Sequence, residues 1–577
     1  MHIFFQKRIS RRYREIAPDE IFLDSKNLPQ FDTAQFEGRL ERPLGRKSLL
    51  VLGVLFCAIG SIFLLRAWRL QIADGSAYAE ESEENRLRHA VVFSERGLLY
   101  SRRGEALAWN ATGTEAFAER RFTTRAGFAH LLGYVNYPSR DAAGFFYRED
   151  FVGEAGVEAT FNSTLTGQNG RRIVEVDALG AVVSSSIFSE LKDGSGVKLS
   201  VDAELQEKLY GTIAATAAEY GFQGGAGVIM DSTSGEVLAL VSFPEYSSEA
   251  LTNDRSTTTI ERYRSDPHAP FLNRAVSGLY APGSIVKPFL ALGALDAGVI
   301  SPGTLIVSTG SLTVPNPFDP SRPSVFLDWK AHGATDMRRA IAVSSNVYFY
   351  EIGGGYGGQR GLGIAGIERT LRRFGIGEPT GIELSGEESG TIPNPEWKAE
   401  HFAGEPWRIG DTYNTAIGQY GVQVTPLSVV RATAALANGG QLLTPTLRAS
   451  RGSEATGAHL TGSGAPQTAN ALARDLGFAA NDLIVVREGM RAAVEYGTAQ
   501  GLSLRGVRVA AKTGTAQLGI SKERVNSWVL GFAPFERPRF AFTVLMESGP
   551  SHNTVGGVFV MRQILEWMRD NRPEYFE

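Results

Sequence analysis

The chain has 577 residues, enough for several domains of about 150 residues each. Hydrophobic residues make up 43% and charged residues 21%, close to the values of globular proteins, which excludes wholesale disorder. The formal net charge of -4 argues against a nucleic-acid partner, and the single cysteine, Cys57, excludes a disulfide framework and a thiolate metal site.

The N-terminal part predicts a membrane anchor. Residues 48–65 form an uncharged, mostly apolar run that is long enough for a transmembrane helix. Residues 1–47 hold ten Lys or Arg against seven Asp or Glu, and glutamates cluster at 80–84. The positive-inside rule therefore predicts a cytoplasmic tail at 1–47 and places the chain beyond about residue 70 outside the inner (plasma) membrane, in the periplasm or its equivalent. A cleaved signal peptide is the alternative, but a leader of this length disfavours it.

Beyond the anchor, the residue patterns predict a short mixed region at 66–190 and a long domain at 195–572. An antiparallel sheet built from both ends of a domain, with helices between, indicates an α+β fold. Gly353–Gly363 predicts a turn rather than a phosphate loop because no G-K-[ST] follows, and Ser450–Thr468 is typical of a surface loop. The predicted elements are a strand at Arg171–Val176, a helix at Leu205–Tyr220 capped by Asp202, a hairpin of Ala226–Asp231 and Glu236–Ser242, strands at Trp528–Ala533 and Ala541–Glu547, and a last helix at about Gly557–Arg569.

Ser284 and Lys287 form an S-x-x-K sequence. On a helix, residues three apart share a face, so the lysine amine can reach the serine hydroxyl and activate it as a nucleophile if burial lowers its pKa. The spacing alone is not specific, since it recurs at 189–192 and 195–198 in polar, glycine-containing segments. At Ser284, however, Pro282-Gly283 predicts a turn directly before an apolar helix. The serine is therefore expected at a helix N-terminus, where free N–H groups favour an oxyanion.

Two further short sequences follow Ser284 along the chain. Ser344-Ser345-Asn346 is an S-x-N sequence, a pattern that also occurs at 25–27 and 551–553. Lys512-Thr513-Gly514-Thr515 occurs once, after the mostly apolar segment Val507–Ala511, and predicts an edge strand beside a site. We expect the small Gly514 to let a substrate backbone lie close to that strand.

S-x-x-K, a serine–asparagine motif and K-T-G, in this order, characterise penicillin-binding proteins and class A β-lactamases. On these motifs the chain resembles a monofunctional, class B penicillin-binding protein. Leu327–Lys330 and Tyr348–Tyr350 resemble the elongation-type penicillin-binding protein 2. Two features depart from the family pattern: Ser101 replaces an aspartate, and only residues 109–129 separate Ala108 from His130, so the head is shortened. Other matching segments are Arg96–Tyr100, Ala129–Val135, Gly153–Glu158, Asn273–Ala275, Gly278–Tyr280, Gly418-Gln419, Thr425–Leu427 and Trp528–Pro534.

The resemblance implies a β-rich, dimerisation-type pedestal at 66–190 and a transpeptidase domain at 195–572 that cross-links peptidoglycan stem peptides and is acylated by β-lactams. It implies no metal and no organic cofactor. A membrane glycan polymerase of the RodA/FtsW type is the implied partner, because the chain has no room for a glycosyltransferase domain. The implied roles are Ser284 as nucleophile, Lys287 as the base held neutral by burial and by Lys512, Ser344 as proton relay, Asn346 as the group orienting Lys287 and the substrate amide, Lys512 with Thr513 as carboxylate site, Gly514 as part of the substrate-binding strand, and the N–H groups of Ser284 and Thr515 as oxyanion hole.

Several alternatives stay open at this stage. A division-type transpeptidase more often has the SSN form of the middle motif. A β-lactamase or β-lactam sensor uses the same three motifs, although no base for fast deacylation can be placed. Another alternative is a catalytically silent scaffold that activates a polymerase. The last is a general serine peptidase, although no His/Asp pair can be identified.

Overall fold

The computed structural model describes residues 46–76, 87–113, 115–142, 146–176, 182–316, 319–450, 473–519 and 521–577. By internal contacts the chain divides into two units, which are described separately. The first comprises Met1–Arg88 and Val174–Ser185, and the second His89–Ile173 and Ser186–Glu577. Residues 1–45 of the predicted tail and all of the predicted loop Ser450–Thr468 except its first residue lie outside the described residues.

The first unit contains the predicted anchor. Its α-helix Arg46–Trp68 continues through a π-helical turn, Arg69–Ala73. Within the described residues, Leu49–Ala73 is the one helix long and apolar enough to cross a membrane. At about 1.5 Å per residue it exceeds a hydrocarbon core of about 30 Å. The helix thus runs beyond the predicted end at residue 65, and it suggests a single-pass membrane anchor.

The centre of the second unit is a five-stranded antiparallel sheet. Its strands come from both ends of the predicted long domain, so the α+β prediction is confirmed, as are the predicted hairpin and the two C-terminal strands. In spatial order the strands are Val237–Phe243, Gly224–Asp231, Phe540–Pro550, Arg524–Ala533 and Ala510–Leu518. The last of these, which we call the edge strand, carries the K-T-G motif.

Helices cover both faces of this sheet. Ala203–Tyr220 and Gly557–Asn571 pack on one face, and Pro426–Ala437 packs on the other. Because side chains alternate along a strand, Ala511 of the edge strand joins the core of the first face and Ala510 that of the second. Lys512 is two residues beyond Ala510 and so belongs to the second face.

The helix Ala203–Tyr220 begins where the sequence predicts. The Asp202 carboxylate accepts hydrogen bonds from the N–H groups of Glu204 and Leu205, at 3.1 and 3.2 Å. The predicted turn at Gly353–Gly363 is also present. It joins the helices Asn346–Gly354 and Gly363–Arg373.

A smaller four-stranded sheet is formed by segments that precede the five-stranded sheet along the chain. Its strands in spatial order are Val197–Lys198, Leu99–Tyr100, Ala106–Ala111 and Glu119–Phe122. Beside it, the fully buried Glu158 carboxylate pairs with Arg96 Nε at 2.6 Å and with Arg120 Nη2 at 2.7 Å. Arg96 and Glu158 belong to two separate sequence segments that carry the family resemblance. A buried ion cluster therefore joins these segments.

The remaining elements are mostly short, apart from the 16-residue helix Ala480–Glu495. The other α-helices are Ala129–Leu132, Gly156–Thr160, Asn162–Leu165, Thr257–Ser265, Lys287–Asp296, Met337–Val343, Pro395–His401, Ile409–Ala416 and Ala480–Glu495. The other strands are Leu87–Val92, Val135–Asn136, Ser139–Arg140, Phe146–Arg148, Val152–Gly153, Gly170–Val176, Val182–Ser189, Ile306–Ser308, Ser311–Val314, Ser324–Leu327, Gly333–Thr335, Gln441–Leu442 and Arg474–Asp475. The predicted strand Arg171–Val176 is among them.

Candidate active site

Ser284 lies at the start of a helix, as predicted. It belongs to a short 3₁₀ turn, Gly283–Val286, which we call the serine turn and which continues into the α-helix Lys287–Asp296. Gly283 has φ 57°, a left-handed conformation that favours glycine, and its N–H donates to the Gly418 carbonyl at 2.9 Å. The partly exposed serine is therefore held by a backbone that few other residues could adopt.

The serine turn packs closely against the edge strand, through backbone contacts and through the Ile285 side chain next to Gly514. A Cβ on Gly283 would lie 2.8 Å from the Thr515 carbonyl oxygen, and a Cβ on Gly514 would lie 2.8 Å from that of Pro282. On its other side, a Cβ on Gly418 would overlap the Gly283 carbonyl. The small size of Gly514 thus leaves room for the serine turn, and because Gly514 also lines the cleft, the expected close approach of a substrate backbone stays a prediction.

The Lys287 amine is fully buried. Its Nζ donates to Asn346 Oδ1 at 2.7 Å and to the Ser344 carbonyl at 2.8 Å, and lies 3.3 Å from Ser344 Oγ. Within the described residues Ser284 Oγ has no hydrogen bond, so the predicted contact between Lys287 and Ser284 is not formed in this geometry. Burial lowers the pKa of Lys287 to about 7, against the opposing effect of the Asp328 charge.

Ser344 lies between two buried amines. Lys512 Nζ donates to Ser344 Oγ at 2.9 Å and to the Thr513 carbonyl at 2.7 Å. Burial, and then the nearby Lys287 amine, hold the pKa of Lys512 well below its ordinary value. Ser344 itself has φ 59° and ψ 39°, a conformation that costs a non-glycine residue roughly 1 kcal/mol. The strain is consistent with a hydroxyl that must point at both amines.

Asp328 organises the middle motif and was not singled out as a site residue from the sequence. Its side chain is buried, and although burial alone would raise its pKa, the hydrogen bonds it accepts keep that pKa below its ordinary value. The only available signal was the resemblance of Leu327–Lys330 to the elongation-type enzymes. The five groups that donate to it are the N–H groups of Asn346, Trp329 and Val347, at 2.8, 3.0 and 3.1 Å, and the hydroxyls of Ser345 and Ser308, at 2.8 and 2.9 Å.

Thr498 is a second residue that the sequence did not reveal. Its hydroxyl lies 2.6 Å from Thr513 Oγ1, and its N–H donates to the Ala342 carbonyl at 3.1 Å, just before the middle motif. Thr498 thus links the K-T-G strand to the segment carrying Ser344. No motif marks it in the sequence.

These groups surround one open cleft of about 1060 Å³. The buried amines of Lys287 and Lys512 lie behind its lining. Six of the site residues expected from the sequence line this cleft, namely Ser284, Ser344, Asn346, Thr513, Gly514 and Thr515. Other lining residues include Val325, Leu327, Trp329, Asn414, Gln419, Thr498, Gln517 and Lys522. Across the described ranges, no group of three or more His, Cys, Asp or Glu side chains is placed to hold a metal ion.

Comparison with known families agrees with this geometry. Residues 225–566 match the model of the penicillin binding protein transpeptidase domain, and residues 113–199 match the penicillin-binding protein dimerisation domain. Since the first match covers more than half of the chain, the chain belongs to the penicillin-binding protein transpeptidase family. The predicted class, a serine-type penicillin-binding transpeptidase with an N-terminal dimerisation domain, is confirmed.

Individual relatives show which members of the penicillin-binding protein transpeptidase family this chain is similar to. Peptidoglycan D,D-transpeptidase MrdA of Salmonella typhimurium is 30% identical over 504 residues, covering 81% of this chain and 75% of the relative. The crystal structure of Pseudomonas aeruginosa PBP2 in complex with WCK 5153 has a TM-score of 0.68 at 27% identity, covering 85% of this chain and all of that one. A structure from a peptidoglycan synthase complex that coordinates polymerization and crosslinking has a TM-score of 0.67 at 25% identity, covering 91% and 97%. These names confirm the resemblance to penicillin-binding protein 2.

Proposed function

We propose that this protein is a peptidoglycan D,D-transpeptidase that cross-links stem peptides during cell elongation through an acyl-enzyme on Ser284. The proposal rests on one observation. The Lys287 amine, the Ser344 hydroxyl and the Lys512 amine form a continuous hydrogen-bonded chain beside the serine turn, at a single cleft. The similarity to proteins named MrdA and PBP2 supports the elongation role over the division role.

In the first step, the stem peptide lies along the edge strand with its terminal carboxylate at the Thr513 hydroxyl and near Lys512. Ser284 Oγ attacks the carbonyl carbon between the two terminal D-alanines, forming a C–O bond while its proton passes to the neutral Lys287 amine. The N–H groups of Ser284 and Thr515 stabilise the oxyanion. Each such donor is worth about 3–4 kcal/mol in the transition state.

In the second step, the C–N bond breaks and D-alanine leaves. Ser344 Oγ accepts hydrogen bonds from both amines, so it can give its own proton to the departing nitrogen and regain one from Lys287. The balance is one proton moved from Ser284 to the leaving amine. An amine of a second stem peptide then attacks the ester by the reverse path and restores the Ser284 hydroxyl.

The same proposal includes a topology and a partner. The basic excess in residues 1–47 and the apolar helix that follows support a cytoplasmic N-terminus and an extracytoplasmic, periplasmic catalytic domain on a single span. Within that topology we retain 66–190 as the pedestal and 195–572 as the transpeptidase domain. A membrane glycan polymerase supplies the strands to be cross-linked. The similar peptidoglycan synthase complex, which coordinates polymerization and crosslinking, supports this partner.

Labelling with a fluorescent penicillin tests the proposal on the full-length protein in detergent. The wild type should form a stable covalent adduct and Ser284→Ala should not. Ser189→Ala, in a sequence of the same S-x-x-K spacing, is the matched control and should keep the label. Loss of label within seconds would favour a β-lactamase, and unlabelled but folded wild type would favour the scaffold.

Depletion in the source cell separates the two wall-synthesis roles. Loss of an elongation enzyme should give short, round cells, because side-wall growth stops while division continues. Long filaments would instead favour the division-type alternative.

A further inference from the structure

The buried carboxylate of Asp328 lies directly behind the S-x-N motif. Asp328 Oδ1 accepts the N–H groups of Asn346 and Trp329, and Oδ2 accepts the N–H of Val347. Oδ2 also accepts the hydroxyls of Ser308 and Ser345. Each carboxylate oxygen therefore receives at least one backbone N–H, and the side chain itself is fully buried.

These contacts fix the start of the helix Asn346–Gly354. Its first N–H groups have no helical carbonyl to accept them, and a carboxylate is favoured at such an end. The Asn346 side chain is fixed from the same segment, because its Nδ2 donates to the Leu327 carbonyl at 3.2 Å. That bond settles the amide orientation and leaves Asn346 Oδ1 to accept the Lys287 amine at 2.7 Å.

The charge of Asp328 also acts on Lys287. The other ionisable groups that face this amine are Lys512 and His332, whose Nε2 lies 3.6 Å from Asp328 Oδ1. Burial favours the neutral form of Lys287, and Asp328 is the nearby charge that opposes burial by raising the Lys287 pKa. The carboxylate thus affects both the position and the protonation of the base.

We infer that Asp328 is a positioning residue for the transpeptidase reaction, which holds Asn346 and through it the Lys287 amine in reactive geometry by means of its charge and its two equivalent oxygens. The inference rests on the proposed function. It predicts that an isosteric amide cannot replace the carboxylate. An asparagine at 328 has a single oxygen, so in either orientation its NH₂ group would face a backbone N–H, that of Val347 or those of Asn346 and Trp329.

The test compares the rate of penicillin acylation across pH in full-length wild type, Asp328→Asn, Asp328→Glu and Ser308→Ala. For Asp328→Asn we expect the rate at the high-pH plateau of the pH–rate curve to be at least about tenfold lower, since a buried donor is left unpaired. We also expect the midpoint of that curve to lie at lower pH, because the charge that raises the Lys287 pKa is gone. Asp328→Glu keeps the charge on a longer side chain, so its plateau should fall while its midpoint stays. Ser308→Ala removes one of the five hydrogen bonds but no charge, and its midpoint should also stay.

The midpoint distinguishes positioning from mere support of the fold, because a loss of stability alone would lower the active fraction without moving the midpoint. Folded Asp328→Asn with the wild-type plateau and midpoint would overturn the inference while leaving the proposed function intact. If that variant does not fold, Asp328→Glu decides, with its plateau rate divided by the folded fraction measured by circular dichroism, and an unchanged normalised plateau would overturn the inference. A wild type that takes no label would overturn the proposed function, and this inference with it.

Discussion

The rate at which Ser284 is acylated should depend on the protonation of Lys287. Burial lowers the pKa of this amine to about 7, and only its neutral form can take the serine proton, so the rate should rise with pH. With such a pKa, about 90% of the amine is neutral at pH 8 and about 10% at pH 6, so acylation should slow roughly tenfold between them. An ordinary, exposed lysine would be neutral in less than about 1% of molecules at pH 8.

The assay is stopped-flow labelling of the full-length protein with a fluorescent penicillin from about pH 5.5 to about pH 9, with circular dichroism at each pH to establish that the protein stays folded. Lys522→Ala is the matched control. It removes an exposed amine from the same cleft, and the midpoint should not move. A rate independent of pH between 6 and 8, or one still rising at pH 9, would refute the assignment of Lys287 as a neutral base.

Three further variants test other contacts. Gly514→Ala places a methyl group against the serine turn, so labelling should slow at least about tenfold in folded protein, and an unchanged rate would contradict the packing of turn on strand. Thr498→Val deletes the hydroxyl that contacts Thr513, so it should weaken substrate binding and raise KM about two- to tenfold, while Thr498→Ser should restore it. A KM of Thr498→Val equal to that of the wild type would exclude a role of Thr498 in substrate binding. Glu158→Gln leaves two buried guanidinium groups without a counter-charge, so urea unfolding should show a loss of about 3–5 kcal/mol, and a loss below about 1 kcal/mol would argue against a structural ion cluster.

The secondary structure around the site was predictable because local patterns encode it. The helix Ala203–Tyr220 is marked by a capping aspartate and by apolar residues four apart, and the edge strand is marked by the apolar segment Val507–Ala511. The serine could be placed at a helix start for the same reason. Pro282-Gly283 interrupts the chain immediately before a long apolar run.

Contacts between distant segments were not predictable in the same way. Asp328 meets Asn346 across 18 residues and Thr498 meets Thr513 across 15, and no periodicity records either pairing. The glycine of K-T-G shows the same difficulty. Its small size was evident from the sequence, but the packing of Pro282 and Ile285 against it depends on which distant segment lies there, and no local pattern records that.

The serine turn explains why spacing alone does not make a reactive serine in this chain. S-x-x-K occurs at 189–192 and 195–198 as well, yet neither copy lies in a helix. At Ser284 the neighbouring backbone is fixed on two sides, by Gly418 and by the carbonyl of Thr515, and Gly283 accepts the left-handed conformation that this requires. Contacts between backbones leave no rotamer freedom, so they hold the serine N–H and the edge strand at a constant separation, which an oxyanion hole formed from both segments needs. The reactivity of the motif therefore depends on glycines at three separate positions of the chain as much as on its serine and lysine.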